Sequence, residues 1–160
     1  MLTYNCPYRP NTSVNYEGQA MNSVSQPSDE VDGNDGRGWM QISTEMASHL
    51  PFSAAVEANG FIFVSGQASV DNNGRIVSGS FEDEMRRSMQ NVLDILNAAG
   101  LTLKNVVRVT SYVHDPTDLP AYNVIYREYF SAPFPARTTI TSCLTAALKF
   151  EIDVVAVRPN

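Results

Sequence analysis

The dipeptide Asn59-Gly60 sits between SAAVEA and FIFVSGQ. An Asn-Gly pair flanked by apolar runs selects a two-residue hairpin, because both central positions must take positive φ. The ordered part of the chain therefore opens with an antiparallel strand pair. Phe61, Ile62, Phe63 and Val64 are apolar at successive positions, so the second strand is expected to be buried on both faces. Ser65, Gly66 and Gln67 then bring polar groups to its end, and Gly66 permits a close backbone approach. The same three residues are also what a plain bulge or strand end would use.

The remaining elements follow from local signals. MQIS, from Met40, is a short first strand, and DNNG, Asp71 to Gly74, is a turn. Ser80 caps a helix with Asp83 three residues on, a capping-box variant. Phe81, Met85, Met89, Val92, Leu93 and Leu96 fall on one face of it. Glu82-Arg86 and Asp83-Arg87 are spaced as i,i+4 ion pairs on the wet face, and Gly100 ends the helix. Asn105 to Asp115 alternates as a strand. A second helix opens near Thr117 or Asp118, with Leu119, Tyr122, Tyr126, Tyr129 and Phe130 as its apolar face. Pro135 then precedes the β-branched run Thr138 to Thr141, which reads as a core strand with Arg137 at its mouth. Phe150 to Val157 is the last strand. The order β-β-β-α-β-α-β-β is α+β, with two helices laid on one face of a sheet.

Residues 1–39 read differently. SVSQPSDEVDGNDGRG has almost no apolar side chains and cannot bury enough surface to offset its ordering entropy. We read residues 1–39 as a disordered or loosely docked tail, in which Tyr4, Tyr8 and Tyr16 offer docking points, and residues 40–160 as the single folded domain. At 160 residues the chain suits one domain. Its net charge of −6, with no basic stripe, argues against nucleic acid as a partner. Cys6 and Cys143 have no metal spacing, and His49 and His114 are isolated, so no metal is expected. There is no secretory signal and no apolar run near the roughly 20 residues of a membrane span, which points to the cytoplasm.

Strand alternation sends Phe150, Ile152 and Val154 to one face and Glu151 and Asp153 to the other. Two carboxylates at i and i+2 are a candidate site; an exposed strand face is the plain alternative. Arg137 is either a solvated edge charge or a holder of something negative. Ser65 has no histidine at a suggestive position, which disfavours a Ser-His-Asp hydrolase.

PFSAAV, VSGQ, a helix ending NAAGL, Tyr122-Asn123 followed by Tyr126 and Tyr129-Phe130, PART and FEID occur in one order. This ordered set resembles the reactive intermediate (imine) deaminase family, also called RidA or YjgF and formerly L-PSP endoribonucleases, over roughly Met40 to Pro159. The resemblance implies a chorismate-mutase-like protomer and a homotrimer with a central barrel and a cleft at each subunit interface. It also implies hydrolysis of 2-imino acids to 2-keto acids and ammonia without metal or organic cofactor. On that resemblance Arg137 binds the substrate carboxylate and Glu151 is the acid/base, while Phe52, Ser65, Gly66, Asn123 and Tyr126 line the substrate site. The chain departs from the family pattern in reading SGQAS for SGQIP, Thr139 for a cysteine after the arginine, and LTA (Leu144 to Ala146) for LPK. Three other functions fit part of the pattern: a non-catalytic trimer that binds 2-keto acids, an endoribonuclease or translation inhibitor, and a dedicated catabolic deaminase of the aminomuconate type.

Overall fold

The computed structural model describes residues 38–44 and 50–159. The expected tail, except Gly38 and Trp39, lies outside the described residues, as do Cys6 and His49. The elements are β1 (Met40–Gln41), β2 (Ala55–Ala58), β3 (Phe61–Ala68), α1 (Phe81–Ala98), β4 (Val106–Val113), α2 (Leu119–Tyr129), β5 (Ala136–Thr141) and β6 (Phe150–Val157). Their order is the one the sequence predicts. The hairpin turn forms as expected, with φ of 50° at Asn59 and 78° at Gly60; only such positive values let the turn follow the strand twist.

The six strands form one sheet in the order β1-β2-β3-β6-β4-β5. The last strand in sequence therefore lies inside the sheet. β6 is antiparallel to both β3 and β4, and β5 is parallel to β4. The β3-α1-β4 unit is thus a β-α-β split to admit β6, and β4-α2-β5 is an unsplit one. Both helices pack on the same side. Facing them, Ile62 and Val64 of β3, Val109 and Val113 of β4, and Phe150, Ile152, Val154 and Ala156 of β6 are buried. Phe81 meets Phe150 edge-on at 5.9 Å between ring centroids, and Tyr122 lies 5.9 Å from Phe150.

Local chemistry fixes the helix positions. Ser80 caps α1 through Asp83 N, and the Asp83 carboxylate returns to Ser80 N, completing the capping box. Asp83 is therefore engaged in the cap. Arg86 reaches across to Glu128 of α2 at 2.8 Å. Neither intrahelical pair expected at Glu82-Arg86 and Asp83-Arg87 forms, because Arg86 is drawn to Glu128 and Asp83 to the cap at Ser80. Leu93 is only half-buried, whereas Ile95 is fully buried; Phe81, Met85, Met89, Val92 and Leu96 are buried as expected. On α2, Tyr129 is half-buried and Ile125 joins Tyr122 and Tyr126 inside.

Two other expectations are corrected. β5 is an edge strand and not a core one, its side chains exposed or half-buried along its length. Its β-branched residues suit a strand but do not say how many neighbours it has. β3 is buried on one face only: Ile62 and Val64 lie under the helices, while Phe61 and Phe63 are 44% and 45% exposed on the other side. Both helices belong to one face, so nothing in the described chain covers these two rings.

Glu84 on α1 is fully buried and ties the helix to the start of β6. It accepts from Gly79 N at 3.1 Å, Lys149 N at 2.8 Å and Lys149 Nζ at 3.0 Å. Burial pushes its carboxyl up, but the two backbone donors and the Lys149 ammonium outweigh that and hold it below its ordinary 4.5. A depressed carboxyl stabilises the fold above its unfolded value and loses that stabilisation as pH falls through its folded value. Glu84→Ala, which strands two inward-facing N–H groups, is expected to cost about 3 kcal/mol. Its deficit relative to wild type, read from denaturant melts, should shrink as pH falls below about 4.5; a deficit independent of pH would show that the carboxylate charge has no part in it.

Candidate functional site

Arg137 opens β5 on the side that faces α2. Register sets it beside Val109, whose side chain is buried under the helices. From there its guanidinium lies 4.9 Å from the Tyr122 ring centroid and 4.7 Å from that of Tyr126. It donates to Asn123 Oδ1 at 3.1 Å, and Asn123 is itself steadied by donating to Leu119 O at 2.9 Å. Two aromatic faces and one amide fix the plane of the guanidinium. No carboxylate of the described residues pairs with it. It borders an open cleft of about 260 Å³ lined by Asn123, Tyr126, Arg127, Phe134, Pro135 and Arg137.

Two hydroxyls on this side lack partners. Tyr126 Oη and Thr139 Oγ1 are buried with no hydrogen bond, and Thr139 is two residues beyond Arg137 on the same face of β5. Burial pushes the Tyr126 phenol up to about 12, with Tyr122 adding to the rise and Arg137 opposing it. Tyr126 is therefore a neutral donor at any physiological pH. Tyr122, by contrast, gives its hydroxyl to Ser111 Oγ at 2.9 Å.

Glu151 stands on the opposite face of the sheet. It alternates with Phe150 and Ile152, both fully buried under the helices. Gly66 belongs to a bulge in β3, where Ser65 and Gly66 intervene between the pairs Val64-Val154 and Gln67-Ile152. The Glu151 carboxylate lies against this bulge so closely that a Cβ at Gly66 would collide with Oε1. The glycine is thus required by close approach. Ser65 donates to Ser53 O at 2.7 Å and its own backbone N–H bonds Ala54 O, which holds the segment carrying Phe52 beside the bulge. Phe52 is 48% exposed.

The seven residues singled out in the sequence thus fall into two groups. Arg137, Asn123 and Tyr126 converge at the helix-side cleft. Glu151, Gly66, Ser65 and, through Ser53, Phe52 cluster around the β3 bulge. Within one chain Arg137 and Glu151 do not meet. They lie on opposite faces of the sheet, on strands separated by β4, which alone is about 10 Å. Sequence reasoning took Tyr122 as packing, yet its ring supports Arg137. It overlooked Tyr112, whose hydroxyl reaches Asp153 Oδ2 at 3.1 Å. The only signal for Tyr112 was its parity on β4; its nearness to Asp153 depends on β6 being inserted beside it.

The protomer is thus an α+β sheet protein with, on one face, a cleft arginine that pairs with no carboxylate of the described residues, and a carboxylate pair on the other. Residues 42–158 match the family described as endoribonuclease L-PSP. A RutC family protein of Pyrococcus horikoshii is 37% identical over 110 residues, covering 68% of this chain and 87% of that one. The 2-iminobutanoate/2-iminopropanoate deaminase of Homo sapiens is 36% identical over 110 residues, 68% of this chain and 80% of that one. Among solved structures, E. coli TdcF with bound serine superposes with a TM-score of 0.67 at 30% identity, covering 74% of this chain and 98% of that one. The chain belongs to this family, the RidA/YjgF family that its ordered motifs resemble. No helix of the described residues is long and apolar enough to cross a membrane.

Burial first, and the charge of Asp153 second, raise the Glu151 carboxyl above its ordinary 4.5. A raised group contributes stability that is fully present below the unfolded value and lost as pH rises through the folded one. Glu151→Gln, which never ionises, should therefore melt higher than wild type at about pH 8, and the advantage should vanish near pH 4. Equal melting temperatures across that range would mean that Glu151 carries no strain.

Proposed function

We propose that the chain is a hydrolytic deaminase of 2-imino acids, converting them to 2-keto acids and ammonia. The observation that carries this reading is the Arg137 guanidinium, held by two rings and an amide at an open cleft with no carboxylate of the described residues to neutralise it. Such a group matches an α-carboxylate bidentately. The names of the human relative and the serine bound in TdcF supply the same substrate chemistry, a small molecule bearing an α-amino or imino acid group.

Catalysis then needs little beyond positioning. Arg137 fixes the carboxylate and so orients the adjacent C=N carbon, which is electrophilic once its nitrogen is protonated. Glu151 takes a proton from water as its oxygen bonds to that carbon, and the C=N π pair moves to nitrogen. The Glu151 proton then passes to the amino nitrogen. The carbinolamine hydroxyl gives its proton to the Glu151 carboxylate as the C=O forms, and ammonia leaves with the C–N pair.

Arg137 and Glu151 stand on opposite faces of one sheet, so on this reading the site is made between copies, Arg137 of one facing Glu151 of the next. The assembly we infer is a homotrimer whose helix-free sheet faces turn inward as a barrel. Phe61 and Phe63, 44% and 45% exposed, and Ile140, 40% exposed, are apolar surface that such an assembly would cover. RNA is disfavoured as a substrate by the net charge of −6.

In a coupled assay an amino-acid oxidase supplies the imine and semicarbazide competes for it; wild type should divert the imine to keto acid. Arg137→Ala should lose on the order of 30- to 1000-fold in kcat/KM, equivalent to about 2–4 kcal/mol. Arg137→Lys should lose nearly as much, because an ammonium cannot reproduce the planar fork. An unimpaired Arg137→Ala would remove the arginine from the reaction. Light scattering on the eluting protein should report three copies, and a monodisperse monomer at micromolar concentration would contradict the shared site.

A further inference from the structure

Glu151 and Asp153 share the helix-free face of β6, but their surroundings differ. Register puts Tyr112 of β4 and Ala68 of β3 directly across from Glu151, and Thr110 across from Asp153. Tyr112 does not bond the residue it faces. Its hydroxyl leans along the diagonal and donates to Asp153 Oδ2 at 3.1 Å, a reach that diagonal neighbours about 7–8 Å apart allow an aromatic ring. Glu151 leans the other way, its carboxylate filling the space a side chain would take at Gly66. Among the described residues none donates a hydrogen bond to it.

The Asp153 charge opposes ionisation of Glu151. The carboxylate that takes the Tyr112 hydrogen bond is Asp153. Arg108 of β4 lies across from Val155 and is, like Tyr112, a diagonal neighbour of Asp153, but it makes no ion pair with either carboxylate. Cys143, after β5, bears on the Tyr112 phenol. On β3, Ser65, Gly66, Gln67 and Ala68 are not titratable.

We propose that Tyr112 and Asp153 are positioning residues for Glu151: the phenol anchors Asp153 beside Glu151, and Glu151, the carboxyl left without a donor, exchanges the proton of the reaction. What that proton is used for rests on the imine-hydrolysis reading, whereas the arrangement of charge does not. Burial followed by the Asp153 charge raises the Glu151 carboxyl, and burial followed by the same charge raises the Tyr112 phenol. The phenol thus stays a donor while Glu151 is drawn toward the range where a carboxyl can both take and return a proton. The consequence for the reaction is a division of labour. Tyr112 and Asp153 set the field at Glu151, and Glu151 transfers the proton that moves from water to nitrogen.

The test is a carboxyl ¹³C titration of the full chain labelled at Glu and Asp, with Glu151→Gln and Asp153→Asn used to assign the two signals. Asp153→Asn should move the Glu151 midpoint to lower pH. In the imine assay, the acid limb of kcat/KM in Asp153→Asn should move with the Glu151 midpoint, and Tyr112→Phe should lower kcat about tenfold with KM within about twofold. Asp153→Ser replaces Asp153→Asn if the latter does not fold. A Glu151 midpoint unmoved by loss of the Asp153 charge overturns the proposal. So does a Tyr112→Phe variant that changes only the melting temperature. A Glu151 midpoint that moves as expected in a protein that hydrolyses no imine would uphold the charge arrangement and refute the deaminase reading alone.

Discussion

The insertion of β6 between β3 and β4 is the constraint on which the rest of the molecule depends. A strand with neighbours on both edges cannot slip, because a shift of one residue would turn Phe150, Ile152, Val154 and Ala156 out of the core and drive Glu151 and Asp153 into it. The Glu84 carboxylate reinforces this register, gripping both the backbone and the ammonium of Lys149 one residue before the strand starts. Fixed in this way, β6 presents Glu151 to the β3 bulge on one side and to Tyr112 on the other. The acidic half of the proposed site is thus a by-product of how the core is packed.

The arginine half has a different origin. β5 is an edge strand, so the side chain that opens it can reach past the sheet to α2. There the spacing of Tyr122, Asn123 and Tyr126 puts two rings and an amide on one helical flank, and the guanidinium settles among them. No carboxylate of the described residues holds the cation in place, which on the proposed reading leaves its charge for a ligand. The cost is two buried hydroxyls, Tyr126 Oη and Thr139 Oγ1, without partners. Unsatisfied groups of this kind concentrate at functional sites.

Much of this was legible in the sequence. Asn59-Gly60, the Ser80-Asp83 box and the alternation of Phe150 to Val157 are local signals, and each appears in the structure as read. The motif order gave the family, and the family match confirms it. What failed to show was everything set by long-range pairing. The run Phe61 to Val64 is apolar throughout, and only the placement of both helices on one side reveals that Phe61 and Phe63 are left bare. Thr138 to Thr141 has the composition of a core strand because strand propensity does not count neighbours. Arg86 has equally good partners at i−4 and across the helix pair, and tertiary packing chose Glu128. The largest surprise, Arg137 and Glu151 on opposite faces, depends on the parity of two strands and on the insertion of a third between their partners.

That separation is what gives the shared-site account its sharpest consequence. If Arg137 of one copy works with Glu151 of another, two inactive variants should repair each other when their copies are mixed. Arg137→Ala and Glu151→Gln chains, unfolded together and refolded at equal concentration, would form some clefts in which the Glu151→Gln copy supplies the arginine and the Arg137→Ala copy supplies the glutamate. Random assembly makes such clefts roughly a quarter of the total, and imine hydrolysis should return to about that fraction of wild type. Mixed oligomers that form and remain inactive would contradict the account, because a site built within a single chain cannot be restored by its neighbour.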